Sequence, residues 1–203
     1  MKNYKIAITG GIGSGKSISL NYLKEKGYPV YSCDEIYKEV IEFPQYIHAI
    51  KKAFPDCVDV KGIDRKKLSE NVFNNTANLQ VLNSIAHPLI MERLLERMNT
   101  HEGLVFAEVP LLFEGNFEGL FDKIIVLMRA QNERIVSITK RDGISEDKAK
   151  MRINSQFDYT CKKNQERLNN DKIIILKNEY NIEALKKELD SILENKSLVK
   201  QRV

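Results

Sequence analysis

Eight consecutive residues near the start of the chain have the types and spacing of a phosphate-binding loop. The segment Gly10-Gly11-Ile12-Gly13-Ser14-Gly15-Lys16-Ser17 matches the pattern G-x-x-x-x-G-K-[ST] at every fixed position. Glycines let a backbone wrap around a polyphosphate without interference from Cβ atoms, so several N–H groups can point inward. In this pattern Lys16 would reach the β- and γ-phosphates, and the Ser17 hydroxyl would bind Mg²⁺. The segment therefore predicts binding of a nucleoside triphosphate.

The sequence on either side of this loop supports that prediction. Residues 4–9 form a short β-prone run before it, and residues 18–26 have a helical pattern after it. A helix N-terminus adds the positive end of its dipole to such a site. The alternative is a glycine turn that only connects a strand to a helix, and the strand–loop–helix context argues against it. We predict nucleotide contacts from Gly11, Ile12, Gly13, Ser14, Gly15, Lys16, Ser17 and Ile18.

Five short apolar runs, separated by helical patterns, predict a parallel sheet. Strands that are buried on both faces carry continuous apolar runs rather than alternating ones. Helices between such strands are typical of an α/β fold, in which ligands bind at the carboxyl ends of the strands. An amphipathic helix over residues 182–193 should pack on this sheet. The predicted strands cover residues 4–9, 29–32, 104–109, 123–128 and 172–176.

The long stretch between the second and third predicted strands holds more than one crossover helix. Residues 36–53, 65–72 and 78–98 have helical patterns, which Pro44, Pro55 and Pro88 interrupt. We interpret this stretch as a helical insertion that forms one wall of a substrate site. We expect one domain over residues 1–203, with a three-layer core at about 1–34, 104–140 and 171–194, the insertion at about 35–103 and a lid at about 141–170. The tail over residues 195–203 should be frayed and solvated.

Two carboxylates lie at or just after the ends of predicted strands and could take part in phosphoryl transfer. Asp34 comes just after the second strand, where a carboxylate can accept a proton from an attacking hydroxyl or orient it. Asp is also a favoured helix N-cap, and position alone leaves both roles open. Glu108 follows four apolar residues of the third strand, where a carboxylate can engage Mg²⁺ directly or through water. A surface acid at a strand end is the alternative for Glu108.

Residues 134–167 are rich in bases, which suits a lid that closes over phosphates. Ser145 can cap a helix whose first turn holds two acids. Helical spacing then gives a basic polar stripe and a neighbouring apolar stripe. Closure of such a lid would exclude water and stabilise the charge that develops during transfer, whereas the alternative is a solvated surface helix. The polar stripe is Lys148, Arg152 and Gln156, and the apolar stripe is Ala149, Ile153 and Phe157.

The composition is typical of soluble globular proteins and favours a cytoplasmic setting. The chain has 203 residues, a net charge of +4, and 42% hydrophobic and 30% charged residues. This mild positive charge suits an anionic small ligand and does not require nucleic acid. Three widely spaced cysteines indicate neither a disulfide framework nor a zinc site, which favours a reducing compartment. The sequence predicts no signal peptide and no membrane span.

Several segments beyond the loop resemble the dephospho-coenzyme A kinases, a family within the nucleoside-monophosphate-kinase-like group. The most distinctive is Glu108-Val109-Pro110-Leu111-Leu112-Phe113-Glu114, and the His87-Pro88 pair lies in a second matching segment. The similarity covers roughly residues 4–190. The other matching positions are residues 8–17, 63–68, 72–73 and 85–90, Gln131, Arg134, residues 141–143, Arg152 and Gln156.

This resemblance implies a reaction and a set of site residues. ATP would phosphorylate the ribose 3′-hydroxyl of dephospho-coenzyme A in the presence of Mg²⁺, giving coenzyme A and ADP in the final step of coenzyme A biosynthesis. Asp34 matches the aspartate that acts as base or orients the 3′-hydroxyl, and Arg141 matches a lid arginine near the transferred phosphate. No nucleic acid, membrane or obligate protein partner is implied. The implied residues are Lys16, Asp34 and Arg141 for catalysis, Asp34, His87, Glu108, Leu111 and Arg141 for the acceptor, and Ser17 and Glu108 for Mg²⁺.

The chain departs from the family pattern in three places. Ser32 stands where the family usually has the first aspartate of Asp-x-Asp, which alters one contact on the acceptor side. Ile18 stands where a hydroxyl residue usually binds the α-phosphate. Between Gln156 and the last predicted strand the chain carries several extra residues, so the far arm of the lid is atypical and we assign no adenine contacts there.

Three other functions remain open on the sequence. A related kinase for a nucleotide, sugar or shikimate-like acceptor would share the loop and the lid but not the two distinctive segments. A nucleotide-dependent switch would have no use for the helical insertion, and the chain lacks a guanine-reading Asn-Lys-x-Asp motif. The three departures suggest a degenerate pseudo-enzyme, which the intact Lys16, Asp34, Glu108 and Arg141 argue against.

Overall fold

The computed structural model describes residues 3–60, 62–73, 75–179 and 181–194. The chain divides into two units, which we call the sheet unit, residues 1–30 and 101–203, and the helical unit, residues 31–100. The predicted tail over residues 195–203 lies outside the described residues. Within the described ranges, no helix is both long enough and apolar enough to cross a membrane.

The described strands form one large and one small sheet. They are β1 Asn3–Thr9, β2 Val30–Ser32, β3 Val58–Asp59, β4 Gly62–Ile63, β5 Gly103–Glu108, β6 Lys123–Met128 and β7 Ile173–Lys177. The large sheet has the order β2-β5-β1-β6-β7, and β1 pairs in parallel with both β5 and β6. The predicted five-stranded parallel sheet of an α/β protein is therefore confirmed, with each strand bound within one residue of its predicted position.

Helices take up most of the remaining described chain. They are α1 Lys16–Glu25, α2 Cys33–Val40, α3 Pro44–Ala53, α4 Arg65–Phe73, α5 Thr76–Asn99, α6 Gln131–Asp142, α7 Glu146–Asn154, α8 Lys162–Leu168 and α9 Ile182–Glu194. Short 3₁₀ turns cover Pro55–Cys57 and Glu118–Leu120.

The core of the sheet unit follows from the apolar runs of its strands. Ile6 and Ile8 of β1 are fully buried, as is Phe106 of β5. Leu185 and Leu189 are one helical turn apart on α9 and join the same apolar cluster, as predicted for an amphipathic helix on the sheet. Burial of each large aliphatic side chain contributes about 2 kcal/mol to folding, so this cluster fixes the strand ends that carry the loops.

The helical unit follows the predicted interruption at Pro44 but not the one at Pro88. The helical pattern over residues 36–53 is divided, because α2 ends at Val40 and α3 begins at Pro44. Proline is favoured at the first position of a helix, where its missing N–H costs nothing, so Pro44 begins the second of these helices. Pro88 does not interrupt its helix: it lies inside α5, which runs from Thr76 to Asn99. The β3–β4 hairpin had no clear sequence signal because each strand has only two residues.

The predicted lid stripe is correct only in its first part. Ser145 caps α7 by accepting a hydrogen bond from the Lys148 N–H at 3.4 Å, as predicted. Ala149 and Ile153 of α7 are buried against Ile135 and Ile138 of α6. However, α7 ends at Asn154, so the predicted extension of both stripes to Gln156 and Phe157 is wrong. These two residues follow the helix and point into other contacts, described below.

Candidate active site

The phosphate loop joins β1 to α1 in a conformation that needs glycine at defined positions. Gly10, Gly13 and Gly15 have φ angles of +140°, +79° and +108°, which L-residues rarely adopt. A Cβ atom on Gly10 would also meet the backbone carbonyl of Leu127 on β6. Gly15 is the N-cap of α1, so the loop ends at the N-terminus of this helix, where the helix dipole is positive.

Lys16 lies inside the loop rather than in solvent. Its side chain is only 9% exposed, and its Nζ donates to the carbonyl oxygens of Gly10 at 2.9 Å and Gly11 at 3.3 Å. An ammonium group in this position adds positive charge to the enclosure that the glycines form. The next residue, Ser17, is exposed in the first turn of α1.

Four side chains hold the loop from outside, and we call them the loop brace. The Gln156 side-chain oxygen accepts the Ile12 N–H at 2.7 Å, while Arg134 Nε donates to the Ile12 carbonyl at 2.8 Å. Asn178 Nδ2 donates to the Ser14 carbonyl at 2.9 Å. Arg129 Nη1 donates to the Gly13 carbonyl at 3.4 Å. Because these bonds satisfy outward polar groups of the loop, its shape is fixed before any ligand contact.

Arg134 places a partly desolvated positive charge against the loop. Burial lowers the pKa of its guanidinium from the usual value, while Tyr159 and Asp158 act in the opposite direction. An arginine stays protonated despite such a shift, since its pKa starts near or above 12. A Cβ atom on Gly11 would meet this guanidinium, so a larger residue there would require the Arg134 side chain to shift. The arrangement favours an anion in the loop.

A cavity of about 550 Å³, which we call the loop-side cavity, opens beside the loop. Ser14 lines it, and among the described residues its buried Oγ is one of two side-chain atoms that lack a hydrogen-bond partner. An unpaired buried hydroxyl in a polar cavity is a group that a ligand can satisfy. The volume falls in the range of small-molecule sites. The other lining residues are Gly11, residues 127–131, Arg134, Ile153, Asn154, residues 156–160, Lys177 and Glu179.

Tyr159 connects the cavity wall to the end of β1. Its ring is buried, and its hydroxyl lies 3.3 Å from the Oγ1 of Thr9, the last residue before the loop. Burial raises the pKa of Tyr159 to about 12, partly offset by the hydrogen bond to Thr9. The phenol is therefore neutral at physiological pH and acts as a fixed hydrogen-bonding group.

Glu108 lies at the carboxyl end of the sheet, as predicted for a strand-end acid. It is the last residue of β5 and pairs in register with Ile8 of β1, two residues before Gly10. Its side chain is half-buried. Leu111, predicted to contact the acceptor, lies in the following turn and is 37% exposed.

Arg141 and Arg152 share one carboxylate. Asp142 accepts from Arg141 Nε at 2.6 Å through one oxygen and from Arg152 Nη1 at 2.6 Å through the other. The hydrogen bond from Arg141, followed by the charges of Arg141 and Arg152, holds the pKa of Asp142 below its usual range. Two arginines of the predicted lid are thereby held close together at the ends of α6 and α7.

Within the helical unit, Asp34 lies in the first turn of α2 with its side chain exposed. The alternative role of Asp34 as N-cap is wrong, because Ser32 occupies that position and its hydroxyl accepts the Asp34 N–H at 3.3 Å. Asp34 lines a cavity of about 640 Å³ in this unit. The hydroxyls of Tyr37 and Tyr46, which also line it, are 3.1 Å apart. His87 lies on α5 of the same unit and is half-buried.

A divalent cation at this site would be held by oxygen ligands. In the part of the chain that the structure describes, no group of three or more His, Cys, Asp or Glu residues could hold a metal ion. Mg²⁺ is commonly held by only one or two protein oxygens together with substrate phosphates and water. The exposed Ser17 hydroxyl and the Glu108 carboxylate are oxygen donors of that kind.

The loop brace contains residues that sequence analysis did not identify. Arg129 and Asn178 directly follow the ends of β6 and β7, where the rule for ligand sites in parallel sheets would have placed candidates. Tyr159 had no such signal, because it lies in an irregular segment between α7 and α8. Gln156 and Arg134 match family positions, but no partner for either could be predicted from the sequence.

Comparison with known sequences identifies one family. A sequence profile described as dephospho-CoA kinase matches residues 4–183. A curated dephospho-CoA kinase from Fusobacterium nucleatum is 37% identical over 193 residues, covering 93% of this chain and 96% of the relative. Another, from Oceanobacillus iheyensis, is 32% identical over 198 residues with coverage of 93% and 96%.

Solved structures agree with the sequence relatives. The protein TT1252 from Thermus thermophilus has a TM-score of 0.77 and 30% identity, covering 95% of this chain and 97% of that one. Dephospho-CoA kinase from Campylobacter jejuni has a TM-score of 0.61 and 27% identity, covering 95% and 96%. Since the profile spans most of the sequence and the phosphate loop has the geometry that such an enzyme needs, the chain belongs to the dephospho-CoA kinase family.

Proposed function

We propose that this chain transfers the γ-phosphoryl group of ATP to the ribose 3′-hydroxyl of dephospho-coenzyme A, giving coenzyme A and ADP. The observation that carries the proposal is the braced phosphate loop with the buried Lys16 inside it. Family membership supplies the identity of the acceptor. In phosphoryl transfer a protein contributes mainly by positioning the reactants and stabilising charge, and we assign residue roles on that basis.

For the phosphate donor, we assign the triphosphate to the loop and the nucleoside to the loop-side cavity. Lys16 would exchange its carbonyl contacts for phosphate oxygens, and the Ser14 hydroxyl would gain a partner. The N-terminus of α1 adds its dipole to the same anion. Contacts from Gly11, Ile12, Gly13, Gly15, Ser17 and Ile18 complete the donor site in this proposal.

For the acceptor, we assign Asp34 to the attacking 3′-hydroxyl. Its exposed carboxylate would accept the hydroxyl proton while the oxygen forms a bond to the γ-phosphorus and the bond from that phosphorus to the β–γ bridging oxygen breaks. The cavity that Asp34 lines in the helical unit offers tyrosine hydroxyls and apolar surface to the rest of the acceptor. His87, Glu108 and Leu111 remain predicted acceptor contacts.

Mg²⁺ suits the donors present, with Ser17 and Glu108 as the residues that would hold it. When bound, it neutralises charge on the β- and γ-phosphates. Arg141 would stabilise the charge that develops on the transferred group, and its bond to Asp142 keeps the guanidinium in one orientation until then.

The experiment that tests the proposal is ADP release from Mg-ATP with and without dephospho-coenzyme A. We expect acceptor-dependent release from wild type and a loss of about 100-fold or more in Asp34→Asn. Glu35→Gln, a change at the neighbouring exposed acid, is the matched control and should stay within twofold of wild type. Unchanged activity in Asp34→Asn would move the acceptor-orienting role to another residue. Absence of acceptor-dependent release from folded, ATP-binding wild type would contradict the proposal.

We also propose a cytoplasmic setting without an obligate protein or nucleic-acid partner. The support is compositional: the chain has three widely spaced cysteines, which do not indicate a disulfide framework, and this suits a reducing compartment.

A further inference from the structure

We propose that Arg167 is a positioning residue for the nucleotide, acting through the cavity wall that it fastens. The wall is formed by residues 156–160, which we call the wall segment. Arg167 lies on α8, in the stretch between Gln156 and β7 that is longer than the family pattern. The inference rests on the proposed function, because it takes the loop-side cavity as the site of the nucleoside.

Arg167 is bonded to the turn that follows β5. Its Nη2 donates to the Phe113 carbonyl at 2.9 Å and to Asn116 Oδ1 at 3.2 Å. Its Nε donates to Glu118 Oε1 at 3.0 Å, and Nη2 contacts the same oxygen. The planar guanidinium thus uses its fork of donors on three groups of a single turn, which fixes its plane.

The guanidinium group of Arg167 also contacts two aromatic rings. The guanidinium carbon lies 5.3 Å from the Phe113 ring centroid and 5.6 Å from that of Phe157. The two rings stack on each other with centroids 4.6 Å apart and an interplanar angle of 19°. Cation–π attraction therefore favours the stacked position of Phe157, and this position depends on a flat, orientable cation.

Phe157 is the middle one of three attachment points of the wall segment. Before it, Gln156 accepts the Ile12 N–H of the phosphate loop. After it, Tyr159 packs edge-on against Phe157 with centroids 5.0 Å apart and reaches Thr9 through its hydroxyl. Phe157 itself also donates its backbone N–H to Glu114 at 2.8 Å. Arg167 is not among the described residues that line the cavity, whereas Phe157 is. Arg167 therefore acts on the ligand through Phe157.

This arrangement predicts a selective effect on the nucleoside. When Arg167 is removed, the stack loses its cation and the middle attachment of the wall segment weakens. The phosphate loop keeps Arg129, Arg134 and Asn178 of its brace, so binding of a bare polyphosphate should change little. A ligand that also carries a nucleoside should bind more weakly, because it needs the wall.

The test compares Mg-ATP with inorganic tripolyphosphate by titration calorimetry on the full chain. We expect Arg167→Ala to raise the Kd for Mg-ATP about tenfold and the Kd for tripolyphosphate less than twofold. In steady-state kinetics the KM for ATP should rise by a similar factor, with kcat and the KM for dephospho-coenzyme A within twofold. Lys163→Ala removes one charge from the same helix at an exposed position and is the matched control, expected to leave both Kd values unchanged.

Two further variants separate positioning from folding. Arg167→Lys keeps the charge but not the planar fork, so it should restore less than half of the lost ATP affinity. Glu118→Gln weakens the fastening from outside the cavity and should raise the Kd for Mg-ATP about threefold, again with tripolyphosphate unaffected. Thermal unfolding of each variant shows whether it is folded under assay conditions, and the Glu118 variant carries the test should Arg167→Ala not fold.

The outcomes distinguish this inference from the proposed function. If wild type and Arg167→Ala bound Mg-ATP with equal affinity, the inference alone would be overturned. An equal loss for Mg-ATP and tripolyphosphate, or full restoration by Arg167→Lys, would also overturn it, since either indicates a general charge or stability effect. Wild type that binds no Mg-ATP would overturn the proposed function and the inference with it.

Discussion

The side-chain oxygen of Gln156 accepts the backbone N–H of Ile12 at 2.7 Å, although 144 positions separate the two residues in the chain. This bond joins the segment after α7 to the outside of the phosphate loop. Ile12 also packs with its side chain against the apolar cluster of α6 and α7. The conformation of the loop therefore depends on residues far from the glycine motif.

We expect Gln156→Ala to weaken Mg-ATP binding about fivefold, since one hydrogen bond contributes about 1 kcal/mol net. Gln156→Glu keeps an acceptor in place but adds negative charge beside the phosphates, so it should weaken binding further. Titration calorimetry measures both, with Gln80→Ala as a control at an exposed glutamine of α5. If Gln156→Ala bound ATP as tightly as wild type, the bond to Ile12 would have no part in shaping the loop.

Replacement of Lys16 should separate activity from stability. We expect Lys16→Met to lower kcat/KM about 100- to 1000-fold, because the variant lacks a cation at the transferred phosphate. The free energy of unfolding should stay the same or rise, because methionine fills a similar volume without the cost of desolvating a buried charge. Urea denaturation and ADP release give the two values, with Lys24→Met on the exposed face of α1 as the control. A loss of stability above about 2 kcal/mol would mean that the ammonium holds the loop together.

The pairing of Asp142 with two arginines predicts a pH-dependent contribution to stability. The hydrogen bond from Arg141 and the charge of Arg152 lower the pKa of Asp142 in the folded protein. A lowered pKa stabilises the folded state above the unfolded value of about 3.9, and that contribution disappears as the pH falls through the folded pKa. Asp142→Asn should therefore be less stable than wild type at pH 7, by a small amount because the group is near solvent.

The same comparison at low pH supplies the check. The difference in unfolding free energy between wild type and Asp142→Asn should shrink as the pH is lowered below about 4. Asp147→Asn, at an exposed acid of α7, should not follow this course. A difference that stayed constant from pH 7 to pH 3 would show that the ion pairs do not account for it.

The sequence was sufficient for the sheet and for the loop. Continuous apolar runs located all five strands of the sheet, including the edge strands β2 and β7, although neither is buried throughout and Ile175 of β7 is 44% exposed. The glycine motif identifies the loop because few chains place those residue types in that order between a strand and a helix. The distinctive run from Glu108 to Glu114 correctly favoured the dephospho-CoA kinase family over a switch or a related kinase with another acceptor.

The bonds around the loop could not be predicted in the same way. Arg129, Gln156 and Asn178 come from separate parts of the chain and meet only in the folded structure. Arg129 and Asn178 follow the neighbouring strands β6 and β7, whereas Gln156 follows α7. The local sequence pattern also gave a wrong end for α7. Helical spacing of the residue types continues to Phe157, but the helix ends at Asn154 and Phe157 stacks on Phe113. Aromatic stacking with a distant ring outweighed the weak preference for one more helical turn. Ser32 departs from the family pattern, yet its hydroxyl serves as the cap of α2.

The position of β1 in the sheet has a consequence for how the protein is made. β1 lies between β5 and β6, and both of these strands follow the whole helical unit in the chain. A ribosome therefore releases β1 and the glycine loop long before either neighbouring strand exists. The helical unit, by contrast, is continuous in sequence and complete once residue 100 has emerged. The nascent chain therefore passes through a stage in which every residue of the helical unit is present while the phosphate site cannot yet form.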